Sequence, residues 1–145
     1  MSTRRLLALA LAMVLLAAGC SDGQITKTEG DVRIWLHESG FATSADAADL
    51  QGTMVYDPDS RCMYLIHLDD SLHAIIWPSG TRIDEEDPIV LTSKGETIRE
   101  GDTVEGGGGH YPFDRFEELI PAECRTGADG VVVFNADSQI EVTRP

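Results

Sequence analysis

Between Gly52 and Trp77 three β-type runs follow one another with only short turns between them. This spacing constrains the fold more than any other feature of the chain. Gly52-Thr53-Met54-Val55-Tyr56 stops at Asp57-Pro58-Asp59-Ser60, where proline and aspartates fix a turn. Cys62-Met63-Tyr64-Leu65-Ile66-His67-Leu68 stops at Asp69-Asp70-Ser71. Leu72-His73-Ala74-Ile75-Ile76-Trp77 stops at Pro78-Ser79-Gly80. Three strands joined this tightly form a meander. The second and third are apolar at successive positions, so both of their faces are expected to be buried.

Shorter runs extend the pattern. Val32, Ile34 and Leu36 alternate with Arg33, Trp35 and His37, which predicts a first strand with Trp35 on its wetter face. From Glu38 to Asp49 the chain is small and polar, with Ser44 as a cap for a short helix over 45–49. Ile89–Thr92, Thr97–Arg99 and Thr103–Glu105 are further short strands, Val131–Phe134 is a fully apolar one, and Ile140–Val142 reads as an edge. Gly106–Gly109 follow Glu105, where a glycine run marks a barrel corner, a bulge or a ligand-facing loop. No Lys-Ser/Thr follows it, so it is not a phosphate loop. Phe113, Phe116 and Ile120 share a helical face between Pro112 and Pro121, predicting one short helix that plugs an open end of the sheet. Many short strands with one late helix predict a mainly β fold, a small OB-like barrel.

The chain begins differently. Arg4 and Arg5 precede an apolar run from Leu6 to Ala18, then Gly19-Cys20 and a polar Ser21-Asp22-Gly23. A basic start, a short apolar run and small residues make a secretory leader, too short to span a bilayer comfortably. With cysteine directly after Ala17-Ala18-Gly19, it resembles the lipobox signal of bacterial lipoproteins. The resemblance implies cleavage before Cys20, a diacylglyceryl group on its thiol and an acylated amine. Ser21 is not the aspartate that retains members of that family at an inner membrane. The expected organisation is a leader over 1–19, a lipidated tether over 20–30, and one barrel domain over 31–145.

From Gly52 to Asn135 the chain also resembles domains of uncharacterised bacterial lipoproteins. The likeness lies in Gly52, Cys62, Trp77-Pro78-Ser79-Gly80-Thr81, Gly101-Asp102 and the Gly106–Gly109 run. It implies a barrel and a paired Cys62–Cys124, and brings no activity. The cysteine count agrees independently. If Cys20 is lipidated, Cys62 and Cys124 remain, and an even pair in an exported domain is most simply a disulfide. The alternative is two free thiols or one reactive one, for which no Cys-x-x-Cys or nearby His-Asn pattern exists.

Charge excludes one class of partner. Without residues 1–19 the formal charge moves from −14 to −16, because the leader holds two arginines and no acid. Nucleic-acid phosphates and anionic headgroups repel such a chain, so no nucleic acid is expected and the membrane is reached only through the Cys20 lipid.

Chemistry has few footholds. His67, Asp69 and His73 flank one turn and form the best candidate metal set, since a catalytic zinc needs three protein ligands and an open position. The simpler reading is a hairpin with solvated acids. Asp57-Pro58-Asp59 and Asp84-Glu85-Glu86-Asp87 offer oxygens to calcium but match no EF-hand loop. Ser71, Ser79 and Ser93 lack a nucleophile elbow. Trp77, Gly107, Gly108 and His110 form a candidate ligand face at a barrel rim. No cofactor is implied. The function expected from these features is a lipid-anchored, extracytoplasmic binding or envelope-interaction module, its partner an envelope protein or a small molecule. The alternative is a small metal-assisted hydrolase using His67, Asp69 and His73. A third reading has the barrel inhibit or position a neighbouring enzyme.

Overall fold

The computed structural model describes residues 25–27, 32–37, 48–84, 88–135 and 139–145. The leader, Cys20, Ser44 and the acids at 85–87 lie outside the described residues. Eleven strands are present among those described: β1 (Ile25–Lys27), β2 (Trp35–His37), β3 (Ala48–Asp57), β4 (Cys62–Ile66), β5 (Leu72–Pro78), β6 (Arg82–Asp84), β7 (Ile89–Leu91), β8 (Thr97–Ile98), β9 (Thr103–Tyr111), β10 (Gly130–Phe134) and β11 (Glu141–Thr143). A 3₁₀ turn spans Phe113–Phe116, and a four-residue helix, α1, spans Ala122–Arg125.

Five strands close a barrel in the order β3-β4-β5-β10-β9 and back to β3. All neighbours are antiparallel except β5 and β10, which run parallel. This is an OB-like Greek-key barrel. The β3-β4-β5 meander is the one the turn residues predict. β2 extends β5 where β4 leaves off, pairing Trp35 with Ile76, and β1 pairs with β2 in turn. The stretch expected to be a bare tether therefore includes a paired segment at Ile25–Lys27.

Period-2 alternation sorts the side chains into two cores. Leu50, Met54, Met63, Leu65, Ile75, Trp77, Val104, Val132 and Phe134 fill the barrel. The small sheet β6-β7-β8 adds Val90 and Ile98 to this interior, beside the Trp77 end. On the outer face, Tyr64, Ala74, Ile76, Val131 and Val133 are apolar as well and need a cover. The segment after β9 supplies it, through Phe116, Ile120 and Cys124, together with Trp35. The predicted plug is thus a lid on the outer wall of the barrel, and the continuous helix expected over 113–120 is replaced by the 3₁₀ turn over 113–116, with α1 following only after Pro121. Eight residues between two prolines are too few for a helix to stand by itself, so the packing of Phe116 and Ile120 decides their path. The Cys62–Cys124 disulfide, with Cα atoms 5.7 Å apart, ties this cover to the start of β4. An Arg33–Glu123 ion pair lies on the same segment.

Four further expectations change. Trp35 is buried, and its Nε1–H donates to the Leu119 carbonyl at 3.1 Å. His37 is buried too, bonded through Nε2 to the Phe134 carbonyl at 2.5 Å. The face of β2 that carries Trp35 and His37 is therefore dry. Residues 48 and 49 begin β3, where a helix was expected. The glycine run does not end a strand: β9 continues straight through it to Tyr111.

Candidate functional site

The turn between β4 and β5 builds one mouth of the barrel. His67 N–H donates to Ser71 O and Asp70 N–H to His67 O, each at 3.0 Å. Asp70 takes a left-handed φ of 64°, which aspartate tolerates and which closes a three-residue hairpin loop. Asp69 caps the turn by accepting from Ser71 Oγ at 2.6 Å and Ser71 N–H at 3.1 Å. These bonds hold its carboxyl below the usual carboxylate range.

Strand parity then aims three histidines into the mouth. His67 follows Met63 and Leu65 in phase, and His73 precedes Ile75 and Trp77 in phase. His110 lies on β9 in phase with Val104, and pairs with the interior residue Val132. All three therefore occupy inward-facing positions at the rim, above the apolar interior. Their rings meet in a triangle with centroids 4.8, 4.8 and 5.2 Å apart. Gly130 stands beside His73 across the β5–β10 ladder. A Cβ there would come within 3.4 Å of the His73 ring and 2.8 Å of the Tyr111 carbonyl, so a bare position leaves room for the imidazole.

Hydrogen bonds fix part of the protonation. His67 Nδ1 lies 2.6 Å from the Gln51 carbonyl, which only accepts, so Nδ1 carries the proton. In the neutral ring Nε2 then keeps a lone pair, 3.0 Å from His110 Nε2. His110 Nε2–H donates across that gap. His73 Nδ1 is buried and has no hydrogen-bond partner. Burial pushes the pKa of His73 down, and repulsion from His67 and His110 adds to this, with Asp129 partly opposing. Burial also lowers His110, helped by His67 and opposed by Asp69.

These directions give a signed prediction. Where the folded pKa lies below the ordinary value of about 6.5, the unfolded chain binds more protons, so stability rises with pH across that window. The contribution is present above about pH 6.5 and is lost as pH falls through the depressed pKa. Melting of the metal-free protein between pH 7.5 and 5.5 should therefore show a steeper loss for wild type than for His73→Gln. Equal slopes would remove the assignment.

The cleft around the histidines has a volume of about 720 Å³ and opens to solvent. Asp49, Asp69 and Asp129 line it, and among the described residues no lysine or arginine does. Asp129 also accepts the Leu72 N–H at 2.8 Å, holding the start of β5 to the start of β10. Three imidazoles and three carboxylates make a cation-attracting mouth with lone pairs to offer.

Of the residues singled out in the sequence, His67 and His73 come together here, and Asp69 stands at the rim with one oxygen committed to Ser71. His110 joins them, although it was grouped with Trp77, Gly107 and Gly108. That second set does not assemble. Trp77 is buried in the barrel, stacked on Phe134 with centroids 5.5 Å apart, and Gly107 and Gly108 are ladder residues opposite Asp49 and Ala48. Asp57 of the proposed calcium cluster bonds its own turn, through Ser60 Oγ, Ser60 N–H and Asp59 N–H. Asp129 and Gly130 carried no signal in the sequence. His110 did, through its inward parity, once β9 is continued through the glycines.

Fold and cleft together define a small OB-like barrel with a histidine-lined mouth. Comparison with known protein families, with characterised proteins and with solved structures yields no match.

Proposed function

We propose that the chain is a lipid-anchored, extracytoplasmic binding module whose working surface is this mouth. The observation that carries the reading is the convergence of three histidines and three aspartates on one open cleft at the end of a rigid barrel. Ligand sites favour such barrel mouths, where a few polar groups converge above an apolar floor. The leader-like residues 1–20 support the anchor, since two or more acyl chains on Cys20 give stable attachment without a basic face. Among the described residues no helix is long and apolar enough to cross a membrane. The bound partner is a small ligand or an exposed group of an envelope protein.

Two measurements test this. Cys20→Ala should shift the protein from the membrane fraction to the soluble or uncleaved pool, and the intact mass of the wild type should lack residues 1–19 and carry acyl groups. An unlipidated wild-type mass would remove the anchor. Native mass spectrometry of the membrane-extracted chain should show a retained ligand that His110→Ala loses. Retention unaffected by that change would move the binding surface elsewhere.

A metal-assisted hydrolase on His67, Asp69 and His73 is a second reading. It is favoured by the third imidazole at His110 and by the openness of the cleft. Hydrolysis lost in His67→Ala would bring it forward; metal binding without hydrolysis would leave the binding module.

A further inference from the structure

We propose that His67, His73 and His110 together bind one divalent transition ion of the zinc–copper class, leaving a coordination position open to the cleft. The inference deepens the reading of this mouth as a binding surface and rests on it.

Geometry comes first. One nitrogen from each ring can be chosen so that all three lie within 4.8 Å of one another, and His67 Nε2 and His110 Nε2 are 3.0 Å apart. Imidazole nitrogens about 2.0–2.1 Å from a tetrahedral zinc sit roughly 3.3–3.4 Å apart. The 3.0 Å pair lies just inside that value, and an ion would draw the wider separations, at up to 4.8 Å, in towards it. The three residues come from the ends of β4, β5 and β9, all in the closed barrel, so the backbone positions are set before any ion arrives.

The outer partners are those a ligating histidine uses. A metal-bound imidazole generally donates its other N–H to a carbonyl or carboxylate, which fixes the tautomer and the ring. His67 does this through Nδ1–H to the Gln51 carbonyl and presents Nε2 inward. In the metal-free state the His110 Nε2–H fills the gap to that lone pair. An ion would take the place of this proton, with His110 moving to its other tautomer. His73 Nδ1 is buried with no hydrogen-bond partner, so that nitrogen is uncommitted.

Donor chemistry selects the ion class. Three neutral imidazoles suit zinc, copper and nickel, while calcium and magnesium ask for oxygen. Asp49, Asp69 and Asp129 around the mouth draw a cation in.

The test uses the untagged full chain, stripped with chelator and titrated calorimetrically at pH 7.5 with Zn²⁺, Cu²⁺ and Ca²⁺. One Zn²⁺ or Cu²⁺ per chain is expected, with Kd of about 1 µM or lower. His67→Ala and His110→Ala should each weaken binding at least tenfold while keeping the wild-type circular dichroism; His110 is exposed, so its variant folds. The ion should also raise the melting temperature of wild type and not of His110→Ala. The proposal is overturned if neither transition ion binds, if both variants bind as wild type does, or if Ca²⁺ competes equally. A chain that takes no transition ion yet retains a His110-dependent ligand from the membrane sinks the metal and leaves the binding module standing. A chain that does neither sinks both.

Discussion

Breaking the Cys62–Cys124 bond, by reduction or by the paired changes Cys62→Ser and Cys124→Ser, should lower the melting temperature by roughly 12–20 °C. The bond joins residues 62 apart in sequence, and closing a loop of that size removes about 4 kcal/mol of unfolded-chain entropy. For a domain of this size each kcal/mol shifts melting by roughly 3–5 °C. Little else substitutes for it. α1 has four residues and no side-chain bond at its N-cap, so it does not persist alone. The Arg33–Glu123 pair is partly exposed and contributes about 0–1 kcal/mol. What remains is the burial of Phe116 and Ile120 on the outer wall and the Trp35 bond to the Leu119 carbonyl. Loosening that cover should uncover Trp35, whose indole bonds the Leu119 carbonyl, so its fluorescence should shift to the red before the barrel melts. A melting shift under about 4 °C would mean that the cover holds by packing alone.

The barrel was legible where physics is local. In the β3-β4-β5 meander, turn residues and apolar runs name both the strands and their stops. β10 is equally plain, as four apolar residues after a glycine. β9 was half hidden. Glycine has no side chain to show a period and little strand propensity, so the run looked like an end or a loop. It is a strand because inward positions 106 and 108 must be bare for Phe134 and Leu50 to fill the barrel. His110 and His67 are 43 residues apart, and only the closed barrel brings β9 near the β4–β5 turn. The cleft was therefore two-thirds visible, as a pair of histidines on one hairpin. Trp35 misled for a related reason. Alternation marks two faces but does not say that both are covered, and the outer cover comes from a segment some 80 residues beyond Trp35.

Gly108→Ala should destabilise the protein by about 3 kcal/mol or more, well beyond Gly106→Ala at the next inward position. Neither glycine needs unusual backbone angles; what distinguishes them is room. A Cβ on Gly108 would lie 2.2 Å from the Val133 carbonyl oxygen and 2.4 Å from Leu50 Cδ1. The carbonyl belongs to β10, which pairs with β9 at this position, so it moves only by opening the ladder. Leu50 is fully buried in the interior and has nowhere to turn. A Cβ on Gly106 would meet the Phe134 ring at 3.1–3.2 Å and the Gln139 carbonyl at 3.5 Å, contacts that a shift of a few tenths of an ångström relieves. Alanine also narrows the unfolded ensemble, which favours the folded state by about 0.4–1 kcal/mol in both variants. That gain nearly offsets the strain at 106 and falls far short of it at 108. Chemical denaturation of the two variants beside wild type measures the order. If Gly106→Ala proves the more damaging, close packing of β9 against β10 and Leu50 is not the reason for the glycine run, and the inward register that also places His110 at the mouth goes with it.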